Sequence, residues 1–88
     1  METSLVITNK VGLHLRPASL LVQTAAQFQS KIQVQFDEKA ANAKSMLGVM
    51  KLGVSVGDTI VVRAEGEDAV QAITALTDLV CRNFDEEE

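Results

Sequence analysis

The chain holds one histidine and one proline, His14 and Pro17, and Arg16 stands between them in GLHLRPA, Gly12 to Ala18. Pro17 reads as the first residue of a helix, where its missing N–H costs nothing, and it pushes Arg16 toward an extended conformation. His14 then lies over the positive end of that helix, where unpaired amides and the macrodipole attract an anion. A cation is disfavoured there, which favours the neutral imidazole. Only the neutral ring has a nitrogen lone pair free to attack. Arg16 adds a planar, permanently charged fork suited to phosphate oxygens. The segment is therefore read as an imidazole that accepts a phosphoryl group in a setting that stabilises the dianion. A metal site is not expected, since there is no second histidine and no cysteine or carboxylate nearby in sequence. A hydrolytic triad is not expected either, because no acid is evidently placed to orient His14. No carboxylate lies between Glu2 and Asp37, whereas Lys10, Arg16 and Lys31 do, so the region is locally cationic.

The second informative stretch is KSMLGVMKLGV, Lys44 to Val54. Ser45 reads as the N-cap of a short helix ending near Gly53. Val49 and Leu52 are expected in the core. Met46, Leu47 and Met50 are read as a partly exposed contact patch, a use to which adaptable methionines are suited. A phosphate on Ser45 would be welcomed by the helix dipole and would put charge beside that patch, so Ser45 is a candidate switch. Cys81 has no partner for an internal disulfide and is expected to be a small core or boundary residue without chemistry. Gly12, Gly57 and Gly66 look like turn glycines, and no glycine-rich nucleotide loop is present.

The elements that position these residues follow from periodicity. Thr3–Thr8 reads as a strand, and Pro17 opens a helix to about Gln29 with Ala18, Leu21, Val22 and Ala25 on one stripe. Lys31–Phe36 alternates as a strand with one wet face, and Ala40–Lys44 returns as the second arm of a hairpin. Thr59–Glu65 is the most strand-like run. A last helix follows, with acids in its first turn and an apolar stripe of Ala69, Ala72, Ile73, Leu76, Leu79 and Val80. The order β-α-β-β-α-β-α predicts an α+β sandwich, an antiparallel sheet with helices on one face.

With 88 residues the chain is expected to be one domain, residues 1–88. Three phenylalanines are its only aromatics, so the core must be aliphatic. The formal charge of −4 falls entirely on Asp85, Glu86, Glu87 and Glu88. Residues 85–88 are accordingly expected to be a frayed, solvated acidic tail. No basic, aromatic-interleaved patch suggests nucleic acid. No apolar run suggests membrane insertion, and no signal peptide is evident, so a cytoplasmic location is expected.

GLHLRPA, KSMLGVMKLG and AEGED together resemble the HPr family, the histidine-containing phosphocarriers of the bacterial phosphotransferase system, across essentially the whole chain. The resemblance implies an open-faced β-sandwich: a four-stranded antiparallel sheet of order 1-4-2-3 with three helices on one face. It implies a carrier, not an enzyme with its own substrate, and no cofactor. His14 would take a phosphoryl group on Nδ1 from phospho-enzyme I and pass it to sugar-specific IIA components. Arg16 and the amides of Leu15 and Arg16 would hold the phosphate, with Pro17 setting the helix start. Ser45 matches the position that an HPr kinase/phosphorylase modifies in some relatives. Ser19, Leu20 and Gln23 with Met46, Leu47 and Met50 match the shared docking surface, whose small size fits a monomer in transient complexes. Leu15 departs from the smaller residue common after the histidine. ITNK and NFDEEE are similar to the nitrogen-branch relative, NPr, whereas the serine region is closer to the sugar branch. A regulatory binding module switched through Ser45 alone is the alternative from another class.

Overall fold

A computed structural model describes residues 1–86. Four strands, β1 (Glu2–Val6), β2 (Lys31–Phe36), β3 (Lys39–Asn42) and β4 (Thr59–Glu65), alternate with α1 (Leu15–Ala25), α2 (Met46–Lys51) and α3 (Ala69–Cys81). The strands form one antiparallel sheet in the order β1-β4-β2-β3, and three helices cover one face. This is the expected open-faced sandwich.

The period-two pattern decides which face is covered. Leu5 of β1, Ile32 and Val34 of β2, and Ile60, Val62 and Ala64 of β4 are buried, while Lys31, Gln33, Arg63 and Glu65 between them stay exposed. Against the buried side pack Ala18, Leu21 and Ala25 of α1, Val49 of α2 and the whole apolar stripe of α3. Slipping either central strand by one residue would exchange these faces and put charge in the core. Phe36 and Lys39 close the β2–β3 hairpin through Asp37 and Glu38. Asp37 takes φ 54° there, a conformation aspartate tolerates better than most residues.

Several boundaries differ from expectation: β1 spans Glu2–Val6 and not Thr3–Thr8, β3 spans Lys39–Asn42 and not Ala40–Lys44, and α1 differs at both ends. α1 starts at Leu15, so His14 is its N-cap, Arg16 lies in the first helical turn, and Pro17 is the third helical residue. Proline is still harmless there: the first intrahelical bond runs from the Ala18 amide to the His14 carbonyl, 2.9 Å, so no bond needed the proline N–H. α1 also ends at Ala25 instead of near Gln29. A tertiary acceptor explains it. Asp68 accepts the amides of Gln29 at 2.8 Å and Ser30 at 2.9 Å, and Lys44 Nζ donates to the Phe28 carbonyl at 2.7 Å. Those groups are thereby satisfied outside the helix. Asp68 itself precedes α3 without capping it, and no acid occupies that helix's first turn, contrary to expectation.

The chain end also departs from its reading. Asp85 and Glu86 do not fray: Phe84 is fully buried, Asp85 pairs with Arg82 at 3.0 Å, and Glu86 reaches back to Asn9 and His14. Glu87 and Glu88 lie outside the described residues. Cys81 is exposed on α3, not a core residue.

Candidate functional site

The N-terminus of α1 is bare. His14 occupies the cap position without a side-chain bond to the helix, and no acid lies in the first turn. Since Pro17 has no N–H, the amides of Leu15 and Arg16 are the helical donors left for an anion. The imidazole is accessible, with 40% of its side chain exposed, and Leu15 and Arg16 are exposed beside it. Gly12 keeps the preceding loop tight. At φ +70° it lies so close to the next layer that a Cβ would come within 2.6 Å of the Val54 carbonyl oxygen.

Sequence reasoning missed one member of the site. Glu86 Oε2 lies 3.1 Å from His14 Nε2, and Asn9 Nδ2 donates to Glu86 Oε1 at 2.9 Å. The same amide donates to the Gly12 carbonyl at 2.7 Å. Asn9 is fully buried, and the Glu86 side chain is only 15% exposed. The Asn9 amide holds the Glu86 carboxyl below the usual carboxylate range; burial opposes this, while His14 and the more distant Arg16 charge reinforce it. The signal available in the sequence was the asparagine before the histidine loop and the single apolar Phe84 in an acidic end. Neither indicates a contact spanning 72 residues.

The second stretch folds as read. Ser45 caps α2, its Oγ accepting the Gly48 amide at 3.1 Å. Val49 and Leu52 are buried, whereas Leu47 is 67% and Met50 39% exposed. Met46 is partly buried and leans on the core, as does Leu20 of α1. Ser19 and Gln23 lie on the outer side of α1 and bond to each other at 2.9 Å. α1 and α2 pack side by side, so the fold gathers these residues on neighbouring helices. Among the described residues, no helix is long and apolar enough to cross a membrane.

Comparison with known proteins agrees with this geometry. A family model described as "PTS HPr component phosphorylation site" matches residues 1–82. Phosphocarrier protein HPr of Xylella fastidiosa (strain 9a5c) is 44% identical over 87 residues, covering 99% of this chain and 98% of that protein. The crystal structure of HPr-C-His from Thermoanaerobacter tengcongensis is similar with a TM-score of 0.96 and 51% identity, covering 100% of this chain and 99% of that one. A phosphocarrier protein HPr from Bacillus anthracis str. Ames gives 0.87 at 39% identity, covering 91% and 95%. With the family model spanning nearly the whole sequence and a relative matched end to end, the chain belongs to the HPr family of phosphotransferase-system phosphocarriers.

Proposed function

We propose that this protein is a cytoplasmic carrier that takes a phosphoryl group on His14 Nδ1 from phospho-enzyme I and hands it to IIA components of the sugar phosphotransferase system. The observation that carries the reading is a half-exposed imidazole standing as the N-cap of a helix whose first amides have no side-chain cap. A phosphoryl group on that ring would meet the Leu15 and Arg16 amides and the positive end of the helix dipole. The Arg16 guanidinium, one residue into the helix, supplies permanent charge for the remaining oxygens. Pro17 fixes the turn that presents them. A carrier must hold its cargo against water yet release it to the acceptor, so a few exposed donors suit it better than a closed pocket.

Docking is assigned to Ser19, Leu20, Gln23, Met46, Leu47 and Met50, with the protein acting as a monomer in transient complexes. The exposed Leu15, Leu47 and Met50 supply apolar area on two helices that pack against each other. Ser45 is proposed as a regulatory phosphorylation site for an HPr kinase/phosphorylase. A phosphate there would replace a neutral cap with a dianion beside Leu47 and Met50. The serine region favours the sugar branch, which competition between the donors of the two branches would test.

Incubation with phosphoenolpyruvate and enzyme I should add one acid-labile phosphate to the protein. His14→Ala should take no label while keeping its fold. Arg16→Ala should still be labelled, but roughly tenfold or more slowly, as for loss of one electrostatic stabiliser. Acid-labile labelling of His14→Ala would overturn the assignment.

A further inference from the structure

Glu86 lies beyond residues 1–82, the span that the family model matches, yet it touches the one histidine. We infer that Asn9 and Glu86 are positioning residues for His14: the Glu86 carboxylate holds the Nε2 proton and the ring, so that the free lone pair is presented on Nδ1. The inference rests on the carrier reading above.

The carboxylate is fixed at both oxygens. Oε2 faces His14 Nε2 at 3.1 Å, and Oε1 accepts from Asn9 Nδ2 at 2.9 Å. Asn9 has no freedom to turn over. Its amide nitrogen donates both to Glu86 and to the Gly12 carbonyl, 2.7 Å, and a flipped amide would set its oxygen against two acceptors. Asn9 Oδ1, buried, accepts no hydrogen bond among the described residues. An unpaired buried acceptor is unfavourable, so the orientation is held by what the nitrogen binds.

The segment bearing Glu86 is itself held in an unusual shape. Asn83, Phe84 and Asp85 have φ of 54°, 55° and 60°, three consecutive left-handed residues without a glycine. Such strain persists only where the surroundings enforce it, and it collects at functional sites. Here the Phe84 side chain is fully buried, Thr8 Oγ1 donates to Asn83 Oδ1 at 2.5 Å, and the Glu86 amide bonds to the Asn83 carbonyl at 3.0 Å. The turn sends the chain back over the start of α1. A solvated tail would need none of this.

The chemistry follows from the pairing. A carboxylate only accepts, so Nε2 must donate, and a neutral imidazole has a single N–H; the lone pair is therefore on Nδ1. In the transfer the Nδ1 pair forms the new N–P bond. The bond from phosphorus to the phosphorylated donor breaks, its electron pair leaving with the donor. The proton stays on Nε2, and the ring becomes cationic against the Glu86 carboxylate. An acid that fixes an imidazole tautomer and stabilises the developing imidazolium is an established device in triads.

The test uses protein labelled with 15N in the imidazole, as wild type, Glu86→Ala and Glu86→Gln. NMR above the histidine titration reports the tautomer ratio, and single-turnover transfer from phosphorylated enzyme I reports the rate. Wild type should be predominantly Nε2–H. Glu86→Ala should gain the Nδ1–H form and transfer about tenfold more slowly, the scale of one charge-assisted hydrogen bond. Glu86→Gln keeps an oxygen acceptor without the charge, so it should retain the tautomer and fall between the two in rate. A labelled wild type with Glu86→Ala unchanged in tautomer and within about twofold in rate would overturn the positioning role alone. A wild type that takes no label would overturn the carrier reading, and the positioning role with it.

Discussion

Gly12→Ala and Gly53→Ala separate two penalties that usually arrive together. The glycines have nearly equal φ, +70° and +68°, but different surroundings. A Cβ on Gly53 would meet nothing within 4 Å, whereas on Gly12 it would lie 2.6 Å from the Val54 carbonyl oxygen and 2.7 Å from Ser55 Cα. Both variants incur the left-handed penalty of about 1–2 kcal/mol for a residue with a side chain. Only Gly12→Ala adds overpacking, about 1–3 kcal/mol, and here against backbone that cannot rotate away. Gly53→Ala should therefore lose about 1–2 kcal/mol and Gly12→Ala about 3–4 kcal/mol. Domains of this size are stable by only roughly 5–15 kcal/mol, so the second loss is severe. At about 4–8 °C per kcal/mol, the thermal midpoint of Gly12→Ala should fall at least 12 °C or so. Urea unfolding with matched m-values measures both. The site should register the clash too: the Gly12 carbonyl accepts from Asn9, and the Leu13 amide bonds to Val54 at 3.0 Å. Phosphoryl transfer should drop in Gly12→Ala and not in Gly53→Ala. A Gly12→Ala protein within about 0.5 kcal/mol of Gly53→Ala would refute the close-approach argument.

Two further outcomes are expected. The Ser30 hydroxyl, followed by the Gln29 amide, holds the Asp68 carboxyl below its ordinary value of 3.8. Its stabilisation is thus complete above that value and is lost as pH falls through the lower folded-state value. Asp68→Asn should lower the thermal midpoint at neutral pH and flatten part of the acid limb below about pH 4; parallel midpoint curves for the two proteins would show that the bonds carry no linkage. His14→Ser should place a true cap on α1, worth about 1 kcal/mol, against loss of the part-buried contact to Glu86, whose carboxylate keeps its bond from the Asn9 amide. Its urea midpoint should not fall although transfer is abolished, and a clear drop would mean that the imidazole is a structural element.

What was legible in the sequence followed from local period and local chemistry. Lys31–Phe36 and Thr59–Glu65 alternate cleanly and form strands over those residues. The α3 stripe from Ala69 to Val80 is buried throughout. Ser45 caps as its type suggests. What escaped was set at a distance. The apolar pattern of α1 does not reveal that Asp68, 38 residues beyond Ser30, captures the amides that would have continued the exit of the helix. Pro17 reads equally well as a first or third helical residue, because neither position uses its N–H. The turn at Asn83–Asp85 contains no glycine to announce positive φ, and its acidic surroundings resemble a solvated end. The burial of Phe84 determines that turn, and only the assembled core supplies it.

The three helix starts show how stability and function divide the same device. α2 begins with Ser45, whose hydroxyl accepts an amide of its own first turn. α3 begins with Asp68, but its carboxylate serves Gln29 and Ser30 and so ties α3 to the end of α1. α1 begins with His14, which like Asp68 gives its own helix no side-chain cap and instead turns toward Glu86. Propensity alone would place Ser, Asp or Asn there. A capped start would fill the donors proposed to meet an incoming phosphate, and in that reading the uncapped amides and the ring beside them belong together. The carboxylate that steadies the ring comes from the far end of the chain, outside the helix, and leaves those amides free.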